Sequence, residues 1–337
     1  VLEFDFQKQA QKYYQLSPAI ILGSGASAAH GLPGMGKLAT HLIDTVDESE
    51  FTKEEQVAWK QFKEELTSGK DLEEALHDVR VSDSLTRQIV SATWQLLSKE
   101  DIAVFQKSLS SPGFFPLSKL IKSLFRSANK QVDIITTNYD RMAEYAVEQA
   151  GIHHYTGFSY GYHRTQSDKE SLKAQRVVNI LKVHGSLDWF KSPSGAVIGL
   201  GQMNNIPEEH TPQIVTPGIE KYLNTYHDPF RTVIQLADAS IGSNTSYLCV
   251  GFGFNDIHIQ EKLINKCCHD DACITVITRE LSNSAKRFLL SGEAQNYLAI
   301  ERGKNDSESI IYSSHSETPM TVDEDHWSLE GYLKLVI

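Results

Sequence analysis

The sequence predicts an α/β protein, with a largely parallel sheet, helices on both faces and a helical insertion. Three observations carry that expectation. Short apolar runs recur at 19–22, 132–136, 177–183, 247–250 and 273–277, each of strand length and bounded by turn residues. Segments of helical periodicity separate them, as parallel strand pairing requires. Several runs end in glycine or polar residues, which is where open α/β sheets bind ligands.

Size and composition narrow the function classes. A chain of 337 residues has room for two domains or for one α/β domain with a large insertion. Hydrophobic residues at 40% argue against global disorder. A formal net charge of −11 argues against bulk electrostatic attraction to nucleic acid, so no direct nucleic-acid binding is expected. The opening Val1-Leu2-Glu3-Phe4-Asp5-Phe6-Gln7-Lys8 is amphipathic and acidic, unlike a secretory leader. No apolar run has the length of a membrane span, so no membrane association is expected. The four cysteines, Cys249, Cys267, Cys268 and Cys273, fit a cytoplasmic protein with reduced thiols.

In chain order, residues 1–18 read as a helical lead-in. Phe6, Ala10, Tyr13 and Tyr14 share one helical face, and Pro18 stops the pattern. Residues 37–129 read as mostly helical: Leu72, Ala75, Leu76 and Val79 follow the i, i+3, i+4, i+7 spacing. Residues 152–176 and 195–212 read as loops. Thr216-Pro217-Gly218 reads as a turn, 228–241 as a helix, 309–312 as an edge strand and 329–336 as a closing helix. The expected division is 1–18 lead-in, 19–36 with 130–300 core, 37–129 insertion and 301–337 closing segment.

The candidate site residues lie at the strand ends. Gly23-Ser24-Gly25-Ala26-Ser27 follows the first strand, and its glycines allow a tight turn that a phosphate can approach. The third glycine of the dinucleotide fingerprint is absent, because Ala28 stands there. Gly31 to Lys37 nearly matches a P-loop. However, Leu38 replaces the magnesium-binding Ser or Thr, and the stretch does not directly follow the strand. The second strand ends in Thr137-Asn138-Tyr139-Asp140, with Asp140 placed to cap the next helix. The third delivers His184-Gly185, and the fourth ends in Gly251-Phe252-Gly253-Phe254-Asn255-Asp256. Cys267, Cys268, His269 and Cys273 lack a Cys-x-x-Cys pair and fit a tetrahedral zinc site poorly.

These motifs resemble those of sirtuins in identity and order: Gly23-Ser24-Gly25-Ala26-Ser27 with Gly31-Leu32-Pro33, then Thr136-Thr137-Asn138-Tyr139-Asp140, then His184-Gly185. The resemblance implies a Rossmann-like core that uses NAD+. The chain departs from sirtuin deacylases at Gly34-Met35-Gly36, where they carry Asp-Phe-Arg. It also lacks their two zinc-binding Cys-x-x-Cys pairs after the His-Gly. The pattern looks most like the sirtuin-like NAD hydrolases of bacterial antiphage defence.

That resemblance implies NAD+ as substrate, no tightly bound cofactor, no zinc, a homo-oligomer, and a HerA-like ATPase or other defence-system protein as partner. It implies Asn138 and His184 as catalytic residues. Gly23, Ser24, Gly25, Ala26, Ser27, Thr137, Asp140, Gly251, Phe252 and Asn255 are the implied NAD-binding set, with the 251–255 stretch on the adenosine side. The alternatives are a sirtuin-type protein deacylase or ADP-ribosyltransferase, and a non-catalytic NAD- or ADP-ribose-sensing scaffold.

Overall fold

A computed structural model of the chain describes residues 4–49, 51–70, 72–77, 79, 82–161, 163–168, 176–215 and 227–337. After helix α1 (Phe6–Gln15), strand β1 (Ala19–Leu22) enters the middle of a nine-stranded sheet. Helices α2 (Ser24–Ala28), α3 (Met35–Thr45), α4 (Lys53–Thr67), α5 (Leu72–His77), α6 (Asp83–Leu109) and α7 (Pro116–Leu124) precede β2 (Gln131–Thr136). Next come α8 (Met142–Gln149), β3 (His153–Tyr155), β4 (His163–Thr165) and β5 (Val177–Lys182). They are followed by β6 (Gly185–Lys191), β7 (Val197–Leu200) and β8 (Thr211–Ile214). The last part holds α9 (Phe230–Ser243), β9 (Ser246–Val250), α10 (Ile257–His269), β10 (Cys273–Thr278) and α11 (Asn283–Leu290). β11 (Tyr297–Arg302), β12 (Ser309–Ser313), β13 (Met320–Val322) and α12 (Leu329–Val336) complete it.

The strand order is β13-β12-β11-β10-β9-β1-β2-β5-β3. Pairing is parallel from β11 to β3, and only β12 and β13 run antiparallel at one edge. From β1 the chain moves through β2 to β5 on one side, then returns to β9 on the other. This is a Rossmann-like order, and its switch point lies between β1 and β9.

Both faces of this sheet are covered, which explains the continuous apolar strands. Side chains alternate across the sheet: Ile20 and Leu22 of β1 join the cluster containing α7, α8 and α12 residues, while Ala19 and Ile21 join the one under α9, α10 and α11. Helices α3, α4 and α5 and the first turns of α6 share a further cluster around Trp59 and Phe62. Helix α6 then passes Trp94 and Leu97 to a fourth cluster with Leu187 and Phe190, and α7 returns to the main core.

The loop expectations for 152–176 and 195–212 are corrected. They contain β3, β4, β7 and the start of β8, and β4-β7-β6-β8 forms a separate four-stranded antiparallel sheet. Its strands are short, and its central strand β6 buries Ser186 and Asp188 together with Leu187 and Trp189, so no clean alternation shows. The Thr216-Pro217-Gly218 turn lies outside the described residues. Among the described residues, no helix is long and apolar enough to cross a membrane.

Candidate active site

The carboxyl ends of β1 and β9 meet at the switch point through backbone alone. The Gly23 N–H donates to Val250 O at 3.1 Å, and the Gly25 N–H donates to Gly251 O at 3.1 Å. A Cβ on Gly23 would lie 2.3 Å from Gly251 O, and one on Gly251 would lie 2.4 Å from the Ala26 nitrogen. Gly251 also has φ +57°. These glycines let two loops touch where any side chain would force them apart.

The end of β2 is tied to that junction by side chains. Thr136 Oγ1 donates to Leu22 O and accepts from the Asn138 N–H, both at 3.0 Å. Asn138 Nδ2 donates to Gly23 O and to Ser27 Oγ, both at 2.9 Å. Its two amide hydrogens are therefore committed, and Oδ1 is the atom left to accept from a ligand.

Beneath this loop lies a buried array of charges. Lys182, the last residue of β5, is fully buried; its Nζ donates to Asp140 O and, at 2.9 Å, to Glu144 Oε1. Arg141 Nη2 meets Asp101 Oδ2 at 2.6 Å, and the Tyr145 hydroxyl donates to the same oxygen at 2.6 Å. Arg164 pairs with the buried Asp188. Asp140 accepts from the Met142 N–H at 3.1 Å, while the cap position of α8 is Arg141, one residue beyond the expected one. Burial pushes the Asp140 carboxyl up to about 6, against the pull of Lys182.

His184 occupies the turn from β5 into β6. Gly185 follows it at φ +85°, and a Cβ there would lie 2.1 Å from Gln213 O. Glycine is thus required for the chain to double back against β8, and this aims His184 at the cavity. His184 Nε2 lies 2.8 Å from Asp256 Oδ2. The other oxygen of Asp256 caps α10, accepting from the Ile259 N–H at 3.1 Å. Asp256 ends the 251–256 strand-end stretch but is outside the implied catalytic and NAD-binding set, and an Asp at that place marks a helix start as readily as a site.

Two cavities open here. One of about 340 Å³ is lined by Gly23, Ser24, Ser27, Thr137, Asn138, Asp140, His184, Phe252, Asn255 and Asp256, with Leu32, Met35, Leu38 and Leu97 as an apolar wall. The other, of about 830 Å³, is lined by Gly25, Ala26 and Gly251 among others. Ser27, Asn138 and Asp140 border both. The 251–255 stretch is therefore divided: Gly251 faces the larger cavity, and Phe252 and Asn255 face the smaller one beside His184.

Among the described residues, no group of three or more His, Cys, Asp or Glu is arranged to hold a metal ion. Cys249, Cys267 and Cys273 are buried and Cys268 is half-buried. Burial pushes the Cys267 thiol up to about 12.

Residues 132–271 match the family model of the SIR2-like domain, a span that includes Asn138, His184 and Asp256. Solved Sir2 structures are similar to this chain at low identity. A Sir2 homologue in complex with NAD is 11% identical, with 88% of each chain covered and a TM-score of 0.43. A Sir2 homologue mutant in complex with ADP-ribose is 14% identical, with 87% of this chain and 91% of that chain covered and a TM-score of 0.45. A Sir2 enzyme from a study of mechanism and regulation is 15% identical, with 84% and 88% covered and a TM-score of 0.43. No curated protein matches the chain.

Proposed function

We propose that the chain is an NAD+ glycohydrolase, converting NAD+ and water to nicotinamide and ADP-ribose, and that it acts as an NAD-depleting effector in bacterial antiphage defence. The observation that supports this reading most is the convergence of Asn138 and His184, from different strands, on one cavity beside the glycine junction. The SIR2-like match and the motif resemblance point the same way.

The bond to be broken joins ribose to a cationic leaving group, and the transition state is an oxocarbenium-like sugar. The protein must orient the ribose, admit one water and favour developing positive charge. Asn138 Oδ1 accepts a hydrogen from that water or from a ribose hydroxyl. His184 takes the proton as water attacks the anomeric carbon. The carboxylates of Asp140 and Asp256 give the cavity a negative field that suits the cationic sugar. Ser24, Ser27 and Thr137 are assigned to the nucleotide on this cavity, and Gly25, Ala26 and Gly251 on the larger one.

The test is nicotinamide and ADP-ribose release by purified protein, with circular dichroism as the folding control. Asn138→Ala and His184→Ala should each lower turnover by about 10²–10⁴-fold. The double variant should lose little more, because groups acting as a unit are not additive. A folded single variant that cleaves NAD+ at near wild-type rate overturns the assignment. Because uncontrolled NAD+ loss would harm the host cell, the free protein should be weakly active. Self-association or a HerA-like ATPase should raise activity, so turnover per protein should climb with concentration or partner.

A further inference from the structure

Helix α6 belongs to two structures at once. In its first turns Leu85, Ile89 and Ala92 pack with α3, α4 and α5 around Trp59 and Phe62. Further along, Trp94, Leu97, Ser98 and Asp101 follow the i, i+3, i+4, i+7 spacing of one helical face, and that face meets the site. Leu97 forms part of the apolar wall of the 340 Å³ cavity. Trp94 Nε1 donates to Leu187 O at 2.7 Å, and the Leu187 N–H donates to Tyr139 O at 2.9 Å. Ser98 Oγ donates to Met203 O at 3.0 Å. Asp101 reaches the Asn138 loop itself.

We propose that Asp101 is a positioning residue: by accepting the Arg141 N–H it fixes the backbone of the loop that presents Asn138, and so ties that loop to the helical insertion. The catalytic consequence rests on the glycohydrolase reading, and the placement of the loop does not.

Asp101 is fully buried, and its two oxygens have different partners. Oδ2 accepts from Arg141 Nε at 2.9 Å, from Arg141 Nη2 at 2.6 Å and from the Tyr145 hydroxyl at 2.6 Å. These contacts neutralise a buried guanidinium, which is a matter of stability. Oδ1 accepts the Arg141 N–H at 2.7 Å. Arg141 stands at the start of α8, where main-chain N–H groups have no partner within the helix. The other end of the loop is held separately. Thr136 Oγ1 accepts the Asn138 N–H, and Asn138 Nδ2 donates to Gly23 O and Ser27 Oγ. Residues 138–141 are thus pinned at one end to the glycine junction and at the other to α6. Without the second pin the main chain can shift under Asn138, and a misplacement of about 1 Å can cost about 10²-fold in rate.

Two double variants separate the Oδ1 contact from the ion pair. Both carry Arg141→Met, so neither leaves a buried charge without its partner. Asp101→Asn/Arg141→Met keeps an oxygen for the N–H of residue 141. Asp101→Leu/Arg141→Met has a side chain of similar size and no acceptor. Circular dichroism checks the fold of both.

In the leucine pair, kcat for NAD+ should fall by about 10²-fold with KM within about threefold of wild type, because the glycine junction still holds the nucleotide. The asparagine pair should recover most of that loss. Hydrogen exchange of the 137–142 segment should be slow in the wild type and the asparagine pair, and at least about tenfold faster in the leucine pair. Turnover that differs by less than about threefold between the two folded pairs overturns the proposal, and so does equal exchange of the segment in both. Exchange of 137–142 in the wild type at the rate of an unstructured peptide overturns it even where neither pair folds. If the wild type releases no nicotinamide, the glycohydrolase reading fails and the exchange of this segment alone decides whether Asp101 holds the loop.

Discussion

The two sides of the site are built by different physics. On the β1–β9 side, loops are held by backbone hydrogen bonds from Gly23 to Val250 and from Gly25 to Gly251, with no room for a side chain on Gly23 or Gly251. On the β2–β5 side, the loops carrying Asn138 and His184 rest on buried ionic groups: Lys182 with Glu144, Arg141 with Asp101, and Arg164 with Asp188. The first arrangement is steric and indifferent to pH. The second is electrostatic, so it depends on protonation and on every partner being present. Damage to either should misplace the same cavity, but with different signatures.

The largest effect is expected at the glycine junction. Gly251→Ala places a Cβ 2.4 Å from the Ala26 backbone nitrogen and also strains a positive φ. Gly31→Ala is the control, because Gly31 has φ +98° but open space around it. The control should lose only the strain of an L-residue there, about 1–2 kcal/mol. Gly251→Ala should lose at least about 2 kcal/mol more, as overpacking against rigid backbone does. Urea denaturation of both variants measures the difference. Equal losses would show that the loops separate freely and that close approach does not hold this side.

The next effect tests the electrostatic side. Lys182→Met removes the cation from between Asp140 and Glu144 in a fully buried position. Stripping one partner from a buried pair costs about 3–5 kcal/mol. Adding Glu144→Gln should restore part of that loss, since the stranded carboxylate is then gone. A single variant with unchanged stability, or a double variant no better than the single, would remove Lys182 as the support of this loop.

The same contrast explains what could be read from the sequence. The glycine turn, Asn138 and His184 were legible because each lies in a local motif at the end of an apolar run. That Gly23 and Gly251 exist to touch each other was not, because the contact joins positions far apart in the chain. The small sheet was hidden for a related reason. Asp188 and Ser186 interrupt the apolar pattern of β6, and the Arg164 that balances Asp188 comes from another strand. The placement of Asp256 was not legible either, because only folding brings its second oxygen close to His184.

The smallest predicted effect is the most specific to the charged side, and its sign is opposite to the others. Four acids, Asp101, Asp140, Glu144 and Asp188, face three bases, Arg141, Arg164 and Lys182. The surplus acceptor shows in Glu144 Oε2 and Asp188 Oδ1, which are buried without a hydrogen-bond partner among the described residues. Asp140 is where the array takes up a proton: its carboxyl is raised from 3.8 to about 6, with burial as the main cause. The folded state therefore holds a proton that the unfolded chain has already released between about pH 4 and pH 6. Stability from this group falls as pH rises through that window. A shift of about two units corresponds to about 3 kcal/mol at most for a group this buried. Asp140→Asn keeps an acceptor for the Met142 N–H and never ionises. The variant should match the wild type near pH 4 and be more stable above pH 6, with the gap opening between. Denaturation midpoints across pH 4–8 measure it. A variant less stable than the wild type at pH 7 would mean that the Lys182 attraction outweighs burial, and that the ionised carboxylate supports the loop rather than straining it.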